Sequence, residues 1–434
     1  MSNDLAKALP KNLFFKTKIS AFCILHFAFC IAAAALLLPS CTPNPVTGKR
    51  QVQLYTEQDD LTVDADLTPL LIAAGYGSFN DPVLADYITA VGQRLIPHTH
   101  RPNLPYRFIL VNAPSPAATA LPGGTLILSR GLIAQLQNEA QLAALLAHNL
   151  AHINARDPNT RLPLRPAPGD SSSSLWDGLV SATGVPPAIQ YTHAQERLAD
   201  AATLAYLLAA GYDPREFLTL LELLDVLGDT PWNTAHPNSP ERLADLRTRL
   251  NSLPDDAPDF LGEPEFRQAT LLLRSQRNAL LTLSQAKTAL LRDKNPRRAI
   301  TLAEQALRLL PNDYAGNLIL ANALNAAGQV SEARYYARLA TSLQPDAPAA
   351  FLTLAQSDIT DQNYSAALSR LDAYATLLPR NNHIAFYQGL CHEALGQTPS
   401  AAAAFTRFLR SPSPSSAQED YARRRLTTWS RERR

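Results

Sequence analysis

The sequence predicts an α+β protein: a mainly helical domain with a small sheet, followed by an all-α solenoid. Three observations carry this. Two short β-prone runs, 106–111 and 125–128, sit among segments whose apolar residues recur at helical spacing. The last third repeats with a period of 34 residues. Between them lies a long Ala- and Leu-rich segment, 138–154, with two histidines four residues apart.

The 434 residues are 46% hydrophobic and 18% charged, with a formal net charge of +1. That supports two or three domains with a sizeable core. It supplies no global basic field for nucleic acid and no charge excess that would keep the chain unfolded. Four cysteines exclude a disulfide-stapled mini-fold.

Residues 1–40 read as a targeting segment. Lys7, Lys11, Lys16 and Lys18 form a basic start, and Ile19–Leu38 carries no formal charge. The stretch is long enough to cross a bilayer, so a permanent inner-membrane anchor is one reading. Leu38-Pro39-Ser40-Cys41 resembles a bacterial lipobox, which favours the other: cleavage before Cys41 and acylation of its thiol. Thr42 rather than Asp after the cysteine then implies delivery to the periplasmic side of the outer membrane. Cys391 would be left without a disulfide partner, as a small buried apolar residue.

In the mature chain, Asn44–Tyr55 is polar and reads as extended. Leu61–Pro97 has helical spacing, and Pro122-Gly123-Gly124 is a turn before the second strand. Six prolines and a serine tract in 157–187 argue for a long loop or lid. Helix resumes near His193 and stops at Gly211, with Pro214 opening the next. Three prolines and five acidic residues mark 251–265 as a linker, so a first domain is expected over 41–250 and a linker with a connecting helix over 251–279.

Pro311, Pro345 and Pro379 are 34 residues apart, as are Ala299, Ala333, Ala367 and Ala401. A helix–turn–helix unit of this length is that of tetratricopeptide (TPR) repeats, and four fit in 280–413. Such units stack because a single helix pair cannot bury its apolar face, and their concave face commonly holds a protein partner. Residues 414–434 read as a basic, solvated tail.

His148 and His152, at i and i+4, lie on one helical face and can reach one ion. Glu196, 44 residues after His152 on a second predicted helix, supplies the carboxylate such a pair needs. Asp200, one turn further, is placed to support a ligand imidazole. His236-Pro237 and Arg242 follow near the end of the domain. His98 and His100, in a Pro-flanked loop, read as surface residues.

These segments resemble the bacterial lipoprotein members of metallopeptidase family 48, the zinc proteases related to HtpX and the CAAX prenyl proteases. The resemblance extends to Asn44-Pro45-Val46-Thr47-Gly48, to Ala120-Leu121-Pro122-Gly123-Gly124, and to the TPR architecture. It implies a zincin-like metallopeptidase domain with zinc held by His148, His152 and Glu196. It implies that His236 can approach as a fourth, inhibitory ligand. It also implies that Thr125, Leu126, Ile127 and Leu128 form an edge strand that pairs with extended substrate. Unfolded or misassembled envelope proteins would be the substrates.

The chain departs from the family where chemistry matters most. The family pattern is H-E-x-x-H; here the segment is His148-Asn149-Leu150-Ala151-His152. Asn149 stands where the general base should be, and an amide cannot accept the proton. Loss of a positioned base costs about 10²- to 10⁴-fold in rate. Three readings remain open: a weakened zinc endopeptidase, a zinc-binding pseudoprotease acting as chaperone or assembly factor, and a TPR scaffold.

Overall fold

The computed structural model describes residues 41–53, 55–161, 190–379, 381–410 and 417–432. The targeting segment and most of the Pro-rich stretch lie outside these.

The segment after Cys41 is a hairpin rather than a simple extended run. β1 (Cys41–Pro43) pairs antiparallel with β2 (Arg50–Val52), and Gly48, at φ 66, permits the turn between them. The region expected as one helical stretch is two helices, α1 (Glu57–Ala74) and α2 (Pro82–Leu95). Thr56 and Asp59 form a capping box on α1. Gly75 caps the end of α1, the chain turns through Tyr76 and Gly77 at φ 66 and 79, and Asp81 as N-cap with Pro82 behind it starts the next helix.

The sheet holds β3 (Arg107–Val111), β4 (Ala118–Ala120) and β5 (Thr125–Ser129) in the order β3-β5-β4. β5 runs parallel to β3 and antiparallel to β4. This corrects the expectation for Thr125, Leu126, Ile127 and Leu128. They are in the central strand, paired on both sides and buried throughout, so their backbone cannot take a further strand. Within the described sheet, β4 is a border strand. Its Ala-Thr-Ala sequence has weak β propensity, which hid it. The Gly124 turn into β5 needs φ 111, and Asp64 of α1 fastens it by accepting from the Thr125 amide at 2.9 Å.

A one-turn helix α3 (Arg130–Ile133) leads to α4 (Glu139–Ala155), which carries both histidines. Every residue of α4 is buried, so this helix is the axis of the first core. Asn138 caps its start, and Arg156 ends it in the left-handed conformation. Around it pack α5 (His193–Ala210), α6 (Arg215–Asp225), α7 (Pro231–Ala235) and α8 (Pro240–Asn251). Gly211 at φ 78 closes α5 as expected.

The stretch read as a linker is fastened to that core. The Ala140 and Asp213 amides donate to Leu261 and Phe260 carbonyls. α9 (Glu263–Ala269) and α10 (Leu271–Leu291) bury Phe266 and Leu273 in it. Burying two such side chains contributes roughly 3–6 kcal/mol, enough to outweigh the polar composition.

Helix pairs then follow at the expected period: α10 with α11 (Pro296–Leu307), α12 (Tyr314–Ala326) with α13 (Val330–Leu343), α14 (Ala349–Thr360) with α15 (Tyr364–Leu377), and α16 (Ile384–Ala394) with α17 (Thr398–Leu409). Ala299, Ala333, Ala367 and Ala401 are all fully buried. At Gly389 a Cβ would come 2.4 Å from the Phe405 ring, so only glycine lets α16 and α17 close. The C-terminal segment is not a frayed tail: α18 (Ala417–Glu432) buries Ala422 and Trp429, the latter stacked on Phe405. It covers the apolar end of the array.

The two parts share an interface. Val63, Leu67 and Leu70 of α1 join one apolar cluster with Leu371, Tyr374 and Ile384 of the repeats. Arg130 makes a buried two-pronged contact with Asp313, at 2.6 and 2.8 Å. Among the described residues no helix is long and apolar enough to cross a membrane.

Candidate metal centre

Three elements converge on one point. α4 presents His148 and His152 from adjacent turns, α5 presents Glu196 from its first turn, and the end of α7 presents His236. One donor atom from each of the four lies within 4.8 Å of the others, and all four residues are buried.

The distances have a physical meaning. His148 Nε2 is 3.3 Å from His152 Nε2 and 3.1 Å from His236 Nδ1. Glu196 Oε2 is 3.3 Å from His148 Nε2, while its Oε1 is 3.3 Å from His152 Nε2 and 3.1 Å from His236 Nδ1. A tetrahedral cation with bonds of about 2.0–2.1 Å requires ligand–ligand edges of about 3.3–3.4 Å. Glu196 Oε2 is also buried without an aligned hydrogen-bond donor. Four such donors gathered in one buried spot, at the spacing of tetrahedral edges, suit a cation lying among them. The donor set therefore fits a divalent metal ion.

The outward nitrogens are held by a supporting layer. His152 Nδ1 is 2.8 Å from Asp157 Oδ2, which turns Nε2 inward. His148 Nδ1 lies 3.4 Å from Asp200 Oδ1. Asp200 itself takes two 2.7 Å hydrogen bonds from Arg242, whose third nitrogen sits 2.7 Å from Glu196 Oε2 as an ion-pair contact off the hydrogen-bond axis. Asp200 thus supports His148 more loosely than expected, because the guanidinium claims both of its oxygens. Aromatic rings close the site. Tyr191 stacks on His152 at 3.7 Å, and Trp232 stacks on His236 at 4.1 Å.

Burial and charge split the titrations of the cluster. Burial holds His148 well below the ordinary imidazole range and lowers His236 to about 4, against the attraction of Glu196. Burial opposes charge on His152 too, but the Asp157 and Glu196 carboxylates outweigh it and push it up to about 9. Burial opposes charge on Glu196, yet the three imidazoles hold it well below the carboxylate range. Burial raises Asp200 in spite of Arg242.

Asn149 faces a different task. Its Nδ2 donates to the Leu145 carbonyl at 2.8 Å, one turn back on its own helix. Its Oδ1 is buried with no hydrogen-bond donor. The side chain is fixed as a helix-bonded amide and offers no proton acceptor of carboxylate strength.

The sequence pointed to His148, His152, Glu196, His236, Asp200 and Asn149, and the structure brings the first four donors together. Sequence reasoning gave no role to Asp157, Tyr191, Trp232 or Arg242. Asp157 had a signal, a carboxylate five residues after His152 at the helix end. Arg242 sat in a segment already singled out, but nothing local says that its partner is Asp200, 42 residues away. His100, read as a plain surface residue, bonds Tyr206 Oη through Nδ1 at 2.5 Å.

Residues 82–167 and 169–250, which include all four donors, match the model described as Peptidase family M48. Residues 288–348 and 352–417 match a tetratricopeptide repeat model. The chain is 30% identical over 198 residues to the beta-barrel assembly-enhancing protease of Escherichia coli (strain K12), covering 40% of each protein. It is 28% identical over 255 residues to the putative beta-barrel assembly-enhancing protease of Vibrio cholerae serotype O1, covering 52% of each. It is 27% identical over 179 residues to the mitochondrial metalloendopeptidase OMA1 of Schizosaccharomyces pombe, covering 38% of this chain and 52% of that protein. The matches thus span about half of these relatives' length or less.

Proposed function

We propose that this chain, which carries a peptidase family M48 domain followed by C-terminal tetratricopeptide repeats, is a zinc-holding lipoprotein of the bacterial envelope that acts on unfolded or misassembled proteins, with its proteolysis weakened at Asn149. The observation that carries it is the buried His148, His152, Glu196 and His236 cluster beside an amide in place of the base. Three nitrogens and a carboxylate suit zinc better than magnesium or calcium, which take oxygen ligands. The names of the bacterial relatives support an envelope role.

When bound, zinc supplies Lewis-acid polarisation of a peptide carbonyl. Asp157 orients His152, and Arg242 with Asp200 steadies Glu196 and His148. Tyr191 and Trp232 exclude water. His236 would hold the ion as a fourth protein donor, at a position that a catalytic site would leave open to substrate. Asn149, held on the Leu145 carbonyl, accepts no proton, so peptide cleavage runs about 10²- to 10⁴-fold below that of a chain with the carboxylate. The repeats hold the polypeptide partner, and the Cys41 acyl group holds the protein to the outer membrane.

A second reading has its own support. Four protein donors and a missing base are the features of a closed, structural metal site, and a chaperone needs no more than that. One experiment separates the two. Zinc-loaded protein, Asn149→Glu and chelator-treated controls are incubated with an unfolded model polypeptide. Slow, chelator-sensitive cleavage that rises at least a hundredfold in Asn149→Glu supports the weakened protease. An inert wild type beside an active Asn149→Glu supports the chaperone reading. If neither protein cleaves, the protease reading is wrong.

A further inference from the structure

We infer that the metal centre is held at the membrane surface by a structured strap, so that its substrates are unfolded segments exposed at the bilayer. This rests on acylation of Cys41, which belongs to the function proposed above. What the structure adds is the path from Cys41 to the site.

A lipid anchor usually precedes a loose tether, which leaves a protein free to turn any face to the bilayer. Here Cys41 itself opens a paired hairpin. Cys41 pairs with Val52, Thr42 with Gln51 and Pro43 with Arg50. Asn44, the third residue after the anchor, is buried, and its polar atoms are all engaged. Its backbone N–H donates to the Lys49 carbonyl at 2.8 Å, and its carbonyl accepts from Gly48 at 2.8 Å. Its Oδ1 accepts from the Val46 and Thr47 amides at 2.8 and 3.1 Å. Its Nδ2 donates to Gln51 at 3.0 Å and to the Ala155 carbonyl at 2.9 Å.

Ala155 is the last residue of α4, the helix that carries His148 and His152. Its carbonyl belongs to the final turn, where helical partners run out, and Asn44 satisfies it. The strap is thus bonded to the end of the metal-binding helix, less than one turn from His152. Three extended residues reach at most about 10 Å, one side-chain bridge adds a few ångströms, and three helical residues rise about 4.5 Å. The His152 backbone therefore lies within about 20 Å of the acylated residue. A domain cannot be farther from the bilayer than from its own anchor point, whatever its tilt. A globular chain of this length is about 50 Å across, so the site is confined to the membrane-proximal side.

A second observation points the same way. Lys49 and Arg50, at the turn of the hairpin, are both exposed. The Pro43–Arg50 pairing brings these two cations near the acyl chain, where they favour an anionic headgroup layer, and one acyl chain with basic residues holds a surface better than the chain alone. A polypeptide tethered at the same surface meets the site at a much higher effective concentration than one diffusing in solution.

The test uses the full lipidated chain in vesicles of anionic lipid. Gln190 is exposed and adjoins Tyr191, the residue stacked on His152. A dye is attached at Gln190→Cys in a Cys391→Ala background, and energy transfer to acceptor-labelled headgroups gives its closest approach. The expected value is about 30 Å or less. Asn44→Ala with twelve Gly-Ser residues inserted after Pro43 frees the strap and adds about 20 Å of flexible reach, and transfer falls severalfold. Mass spectrometry of Cys41 runs in parallel. A Cys41 without acyl chains overturns the anchoring reading itself. An acylated protein whose dye stands about 50 Å from the headgroups, or whose transfer ignores the insertion, overturns this inference alone.

Discussion

Arg242→Met is the most informative single change at the metal centre. Arg242 is 2% exposed and touches two carboxylates that are 0% and 5% exposed. Two of its bonds form a fork on Asp200, each 2.7 Å long. Methionine keeps much of the volume and removes all three contacts. Removing one partner of a buried ion pair costs about 3–5 kcal/mol, because a buried charge is left behind. The lower end applies here, since burial already raises Asp200 and the carboxyl can take up a proton. About 3 kcal/mol lowers Tm by roughly 6–12 °C for a domain of about 200 residues. The loss must also depend on pH. In the variant, the folded-state pKa of Asp200 rises further above its unfolded value. Such a group contributes most below its unfolded pKa and loses that contribution as pH rises through its folded pKa. The deficit is therefore largest near pH 7–8 and shrinks towards pH 5. Calorimetry of the metal-free protein at both pH values measures this, with Arg242→Lys as a variant that keeps charge but loses the fork. A loss below about 1 kcal/mol with no pH dependence would refute the electrostatic account of how Arg242 holds the site.

The other expectations concern affinity and the interface. Asp157→Asn leaves the ligands in place but weakens the tie on His152 Nδ1, so zinc affinity should fall about 10- to 100-fold in a competition titration. Because His152 is held protonated up to about 9 in the metal-free protein, and only neutral imidazole binds metal, apparent zinc affinity should rise about tenfold per pH unit from 7 towards 9 and then level off. Asp313→Ala strands buried Arg130 and removes the cap on α12, so global stability, measured by denaturant unfolding, should fall by about 3–5 kcal/mol.

What the sequence revealed follows from how local each signal is. The repeats were legible because a fixed period places Ala299, Ala333, Ala367 and Ala401 at the same tight crossing each time. The His148–His152 pair was legible because helical geometry alone puts i and i+4 on one face. β4 was hidden because its alanines carry no strand preference, and its discovery moves Thr125–Leu128 from a border to the centre of the sheet. The 251–265 stretch misled because prolines and acids outnumber its apolar residues, while Leu253 and Leu261, backbone bonds at Phe260 and Leu261, and the adjoining Phe266 fix where it packs. Arg242 and Tyr191 depend on contacts about 40 residues away, which no short window of sequence contains; Trp232 lies only four residues before His236, but nothing in that spacing says that the two rings stack.

Asn149 separates two properties that the family pattern normally joins. The residues that hold a metal ion are ligands and their supporting carboxylates. The residue that makes the ion a hydrolytic catalyst is a proton acceptor. Here the first group is present and interlocked: His152 leans on Asp157, while His148 and Glu196 lean on the Arg242–Asp200 pair. A cation among these buried donors binds the folded chain and finds no such site in the unfolded one, so metal binding should return as folding free energy. That benefit does not pass through Asn149, whose amide is turned to Leu145. Stability alone therefore suffices to account for a full ligand set beside an amide. The retained ligands are evidence for metal binding and leave hydrolysis to be measured. A stabilisation by zinc that is as large in wild type as in Asn149→Glu would show that the ion is kept for the fold.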